Sequence, residues 1–195
     1  MVSLLVMNWS TTRNRAALAL LPACLLVAAC ASAQSVTEEQ VKAAYLLNFA
    51  KFIEWPAEAF TTADATMNFC ALGRSPVVDE LDTSVRGKNI SGHTITVRHL
   101  HGPEEIKDCH LLFLASSAVR QQQKLLQASK GAAVLLVAET PGFARAGGTI
   151  NFILENGRLL FEVNVAAAEN AHLRISSKLL ALARIVTVAE ERHGQ

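Results

Sequence analysis

His110-Leu111-Leu112-Phe113-Leu114-Ala115, then Ser117 to Lys130, then Gly131 and Ala132-Ala133-Val134-Leu135-Leu136-Val137-Ala138, is the stretch that decides the fold. The two outer segments are continuous apolar runs of strand length with no polar alternation, so neither leaves a face for solvent. The segment between them reads as a helix stopped by glycine. Continuous strands that alternate with helices imply a parallel sheet whose two faces are both covered.

The same reading extends upstream. Thr37-Glu38-Glu39-Gln40 is a capping box, and a helix is expected from there to Glu54, with Pro56 blocking its continuation. Val41, Tyr45, Asn48, Phe52 and Trp55 recur at helical spacing on one face, while Leu46, Leu47, Phe49 and Ile53 cover much of the rest. A helix this apolar is deeply buried or shared with a partner, and Asn48 within the stripe needs hydrogen-bond partners there. A strand follows from Thr66 to Leu72, ended by Gly73. Pro76 to Val85 is a helix capped by Ser75 with proline in its first turn. Gly87 and Gly92 mark turns, Thr94 to Leu100 is an alternating strand, and Pro103 to Lys107 is a short helical turn.

Downstream the pattern changes. Thr149 to Leu154 and Arg158 to Val165 read as strands joined by Glu155-Asn156-Gly157, and Asn-Gly is the strongest short hairpin signal. A short helix follows over Ala166 to Asn170. Ser176 or Ser177 caps a final helix with Leu179, Leu182, Ile185 and Val186 inward, and Glu190 to Gln195 reads as a frayed tail. The expected fold is a single α/β domain: a mixed, mostly parallel sheet, helices on both faces, and a C-terminal antiparallel hairpin.

The chain's start reads differently. Arg13 and Arg15 precede an apolar run from Ala16 to Ala29, and Ala31-Ser32-Ala33 is a small-residue cleavage site. Residues 1–33 are therefore expected to be a signal peptide, and residues 34–195 the domain. Val27-Ala28-Ala29-Cys30 also fits a lipoprotein processing site; the conventional site is the preferred reading. Without Arg13 and Arg15 the chain has 16 basic and 17 acidic residues, a net charge of −1, so no basic field points to nucleic acid. Cys70 and Cys109 are the cysteines left after the leader. In an oxidising compartment they most simply pair, which would contribute about 3–4 kcal/mol.

Few residues invite chemistry. His99, His101, Cys109 and His110 lack the spacing of a zinc site, so no metal is expected. Ser176-Ser177-Lys178 suggests a serine–lysine hydrolase, but such enzymes place lysine three residues after serine on a helix; capping is the preferred role. Gly147-Gly148 precedes a strand late in the chain and serves a tight bend, not a dinucleotide. Phe52, Trp55, Pro56 and Phe60 cluster where the first helix ends. They are either core or an exposed anchor for a protein partner. Glu162 and Asn164 share a strand face, and with Arg174 and Lys178 they are either a solvated edge, an internal ion pair or contact residues.

Several pieces together resemble the YfiR family of small periplasmic proteins. They are Val41-Lys42-Ala43-Ala44-Tyr45-Leu46-Leu47-Asn48-Phe49-Ala50-Lys51-Phe52, Trp55-Pro56, Gly147-Gly148-Thr149-Ile150-Asn151-Phe152, Phe161-Glu162-Val163-Asn164 and Leu173-Arg174-Ile175-Ser176-Ser177-Lys178-Leu179-Leu180. Their order and spacing carry the resemblance. It implies a periplasmic repressor, not an enzyme, with no cofactor. Its implied partner is the periplasmic sensor region of an inner-membrane diguanylate cyclase, held inactive so that cyclic di-GMP and biofilm formation stay low. It also implies a homodimer, and release of repression under redox or envelope stress. Cys70 and Cys109 match a disulfide pair of the family, whereas Ala144 and Asn151 stand where some members carry a second pair. On this reading Phe52, Trp55 and Phe60 are apolar anchors for the partner, and Glu162, Arg174 and Lys178 orient the contact. The alternative is a periplasmic sensor that binds a small anionic or aromatic ligand near Trp55 and Arg174.

Overall fold

The structure is a computed structural model and describes residues 36–60, 62 and 65–187. The expected signal peptide, the Cys30 site and the tail from Glu190 lie outside the described residues. Helix α1, Glu38–Lys51, begins on the expected capping box: Thr37 accepts from the Gln40 amide, and the Gln40 side chain accepts from the Thr37 amide. Its buried residues are Ala43, Leu46, Leu47, Phe49 and Ala50. The stripe expected to be buried, Val41, Tyr45 and Phe52, is the flank of the helix. Asn48 is exposed, and its only described side-chain bond is from the neighbouring Lys51 ammonium at 3.2 Å. The centre of the face sits a residue or two away from the stripe because Phe49 points directly into the sheet.

The remaining elements, in chain order, are β1 (Ile53–Glu54), β2 (Met67–Leu72), α2 (Pro76–Ser84), β3 (Asn89–Ile90), β4 (His93–Leu100), β5 (Leu111–Leu114), α3 (Gln122–Ala128), β6 (Leu135–Ala138), β7 (Ile150–Glu155), β8 (Arg158–Asn164), α4 (Val165–Asn170), β9 (Arg174–Ile175), α5 (Ser177–Leu180) and β10 (Arg184–Val186). Eight strands form one sheet in the order β10-β8-β7-β6-β5-β2-β4-β3. From β4 to β7 neighbouring strands are parallel; β8 returns antiparallel to β7, and β3 antiparallel to β4. The hairpin turns at Asn156 and Gly157, both at positive φ, as a two-residue primed turn requires.

Each face of the sheet carries its own core. Helices α1 and α2 pack with α4, α5 and β9 on one face, where Tyr45, Phe49, Phe152 and Phe161 gather with ring centroids 5.0–6.1 Å apart. The other face is closed by α3 and by Phe143, packed over Leu112, Leu114 and Leu136. The mixed sheet, the covered faces and the late hairpin are therefore as the apolar patterning implies.

Three expectations need correction. Helix α1 stops at Lys51 and not at Glu54, because Ile53 and Glu54 pair with Ile175 and Arg174 as a two-stranded antiparallel ribbon. The segment from Ser117 to Lys130 is a 3-10 stretch, Ser116–Gln121, followed by the shorter α3. The final helix is one turn, after which Arg184–Val186 joins β8 as a parallel edge strand; Leu179 and Val186 are buried, but Leu182 and Ile185 are exposed. The free edge of β8 offers unpaired backbone groups, and the β-branched run Ile185-Val186-Thr187 is suited to take them.

Cys70 on β2 and Cys109 just before β5 form a disulfide, with both residues buried and a sequence separation of 39. Opening it frees a loop of that length in the unfolded chain, so the Cys70→Ala/Cys109→Ala variant is expected to lose about 4 kcal/mol in urea unfolding. The bend requires Gly148: a Cβ there would run into the Phe143 ring. Gly148→Ala should cost about 1–3 kcal/mol by the same measurement, because the ring must leave its buried site.

Candidate functional site

The β1–β9 ribbon joins two segments that lie far apart in sequence. Phe52 ends α1 and its carbonyl accepts from the Ser176 amide at 2.9 Å. Glu54 faces Arg174 across the ribbon, and their charged groups meet at 3.6 Å with both side chains largely in solvent. Ser176 then caps α5 by accepting from the Lys178 amide at 3.3 Å. The ribbon and the residues flanking it thus carry Phe52, Trp55, Arg174 and Lys178: the first two half-buried, the last two exposed. The exposed ion pair contributes little by itself. Ser176 has the capping role expected of it, with its hydroxyl turned to the helix backbone.

Behind Trp55 lies a stack of rings. The indole N–H donates to the His110 carbonyl at 3.2 Å. Phe60 lies between His110 and His93, with centroid separations of 4.4 and 3.9 Å and nearly parallel planes. His110 accepts from the Asn68 amide through Nδ1 at 3.0 Å and bonds the Ala59 carbonyl through Nε2 at 2.9 Å. Burial lowers its pKa and nearby His93 pushes the same way, against the Ala59 bond. Phe60 is thus an internal wedge as much as a surface residue. In the sequence His110 stands out as the head of a continuous apolar strand and as a poorly spaced metal ligand, and nothing local marks His93 as its neighbour.

Glu162 is placed elsewhere. Phe161 and Val163 face the core under α1, so alternation turns Glu162 and Asn164 to the opposite face. There the Glu162 carboxylate is 7% exposed and meets Arg145 at 3.0 Å and the Asn151 amide at 3.4 Å. Asn164 donates to the Ala144 carbonyl and accepts from the Ala167 amide, capping α4. Asn151 Oδ1 is buried without a partner. Glu162 therefore does not join Arg174 and Lys178; it is an internal ion pair that ties the hairpin to the bend at 144–145. The remaining candidates are also dispersed. His99 lies beside Asp82 at 3.1 Å, His101 is exposed, and Cys109 is in the disulfide.

Residues 39–184 match the YfiR/HmsC-like family, DUF4154. The chain belongs to this family. YfiR/HmsC-like proteins are periplasmic regulators, and among the described residues no helix is long and apolar enough to cross a membrane. No curated protein is a significant match. Among solved structures, the ABC domain in complex with L-Trp from Streptococcus pneumonia is similar with a TM-score of 0.51 at 10% identity. The match covers 76% of this chain and 60% of that one, and at this identity it speaks for the fold alone.

Removing the Glu162 carboxylate leaves Asn151 wholly unsatisfied inside the protein. Glu162→Ala is expected to lose about 2–3 kcal/mol in chemical unfolding, and Arg145→Ala a comparable amount because it leaves the buried carboxylate without its cation.

Proposed function

We propose that this YfiR/HmsC-like protein is an exported repressor that binds the periplasmic sensor region of an inner-membrane diguanylate cyclase through the β1–β9 surface. Binding favours the inactive form of the sensor, which keeps cyclic di-GMP and biofilm formation low. Such a protein acts only through differential affinity for one state of its target. The observation that carries the reading is the ribbon: a half-buried tryptophan and phenylalanine next to two exposed cations, on a member of a regulatory family. Half-exposed aromatics ringed by charge are what anchors a protein interface. The signal peptide, the periplasmic location and the homodimer belong to the same proposal, as does the role of the disulfide in keeping the domain folded outside the cytoplasm.

One feature favours the small-ligand alternative. An open groove of about 630 Å³ runs past Pro56, Glu58, Ala59, Lys107, Asp108, His110 and His172, next to the ring stack. That volume suits a drug-sized molecule. Calorimetry against anionic and aromatic metabolites separates the two readings, since a pure repressor gives no heat.

Trp55→Ala combined with Arg174→Ala should weaken binding to the isolated sensor region by two orders of magnitude or more, roughly 3–4 kcal/mol. Far-UV circular dichroism should be unchanged. Full affinity in that variant would place the interface elsewhere.

A further inference from the structure

We propose that His110, Phe60 and His93 form an acid-labile latch beneath Trp55, so that acidification loosens the surface used for repression. The inference rests on the reading of that surface as the docking site, and it adds a means of regulating it.

The hydrogen bonds of His110 fix its charge state. Its Nδ1 receives the Asn68 N–H, so it must carry no proton, and its Nε2 must then carry one to donate to the Ala59 carbonyl. Only the neutral Nε2–H tautomer satisfies both. A proton on Nδ1 sets two N–H groups against each other at 3.0 Å. His93 differs. Its Nδ1 meets the Ala65 carbonyl at 2.7 Å, a contact that an Nδ1–H makes in either charge state. The need for a proton-free Nδ1 thus falls on His110 alone, with His93 one ring away.

The surroundings decide the direction. From the segment before β5, Lys107 and Asp108 border the ring; from the turn after Trp55 comes Glu58; across the groove stands His172; and β2 presents only the neutral Asn68. Burial is the largest influence and, with His93, disfavours the cation; the Ala59 bond and Asp108 favour it but do not prevail. The folded state thus holds the neutral form. The latch is complete above the usual histidine range near pH 6.5 and weakens as the pH falls from there toward the lowered value, because an opened form takes up the proton first. The consequence reaches Trp55 directly. The His110 main chain accepts the indole N–H, and its ring supports Phe60 and Ala59 in the same turn. Loss of the Asn68 contact frees all three.

The test uses the full chain carrying Trp9→Phe, in which Trp55 is the sole tryptophan. Between about pH 7.5 and 4.5 its emission should shift in one transition with a midpoint below pH 6.5, without loss of far-UV circular dichroism. His110→Asn keeps an acceptor for the Asn68 amide and cannot take the proton, so it should abolish the transition. His93→Gln should retain it with a higher midpoint. No transition in the parent, or an unchanged one in His110→Asn, overturns the proposal. If His110→Asn does not fold, proton NMR of the parent decides: titration of His110 together with the Trp55 shift supports the latch, and titration without it refutes the latch. Below the midpoint, affinity for the cyclase sensor region, measured in parallel, should fall with a slope approaching about tenfold per unit of pH, the limit for one proton. Equal affinity on both sides of an observed transition refutes the coupling, whereas no binding at pH 7.5 sinks the docking reading and leaves the latch standing.

Discussion

Phe49 is the contact on which the rest of the molecule depends. It is fully buried and meets Phe152 at 5.6 Å and Phe161 at 5.0 Å, one ring from each strand of the hairpin. This pins a helix from the start of the domain to strands from its end. Once α1 is pinned, its last turn must arrive beside the chain that follows the hairpin, and the β1–β9 ribbon is the result. Aromatic rings of this size supply most of the energy at such a joint, since each removes a large apolar area from water. The candidate surface is thus a by-product of core packing, positioned by rings that never reach solvent.

The ribbon itself is slight. It has two residues on each strand, and an isolated pair of strands has little stability in water. It is held from below by Ile53, Ile175 and Leu179, which join the main core, and from the side by the Trp55 bond to His110. An element held at its edges and not by its own ladder is the kind that has a second arrangement within reach. Under the proposed repression such an element has a use, because the hold on the target would have to be reversible.

Much of the sheet was legible because its strands are uninterrupted apolar runs: Leu111–Leu114 and Leu135–Ala138 admit no other reading, and Asn156-Gly157 announces its turn. The ribbon was not legible. Two-residue strands carry no periodicity, and Ile53 and Glu54 continue the helical pattern of α1 until a partner 120 residues away captures them. The edge strand β10 hid for the same reason: Leu179, Leu182, Ile185 and Val186 have helical spacing, and only the open edge of β8 turns the last two into strand. Of the candidate contact residues, Trp55, Arg174 and Lys178 were visible as leftovers of polarity and aromaticity. The position of Glu162 depends on which face its strand shows to α1, and local pattern does not decide that.

The two faces of the hairpin divide the family-like residues by what they do. Gly148, Asn151, Glu162 and Asn164 lie among Phe143, Ala144 and Arg145, where a missing Cβ, a buried ion pair and a helix cap hold the bend together. Phe52, Trp55, Arg174 and Lys178 lie on the α1 side, where the Trp55 bond to His110, packing against the core and an exposed ion pair are their described contacts. A pair such as Glu162–Arg145, buried at its carboxylate, gains little stability over a well-packed apolar substitute, but it permits one register of the hairpin and penalises others. That register is what aligns Phe152 with Phe161 under Phe49. Polar residues on the far face therefore set the geometry of the surface they never touch, and the same constraint accounts for both groups.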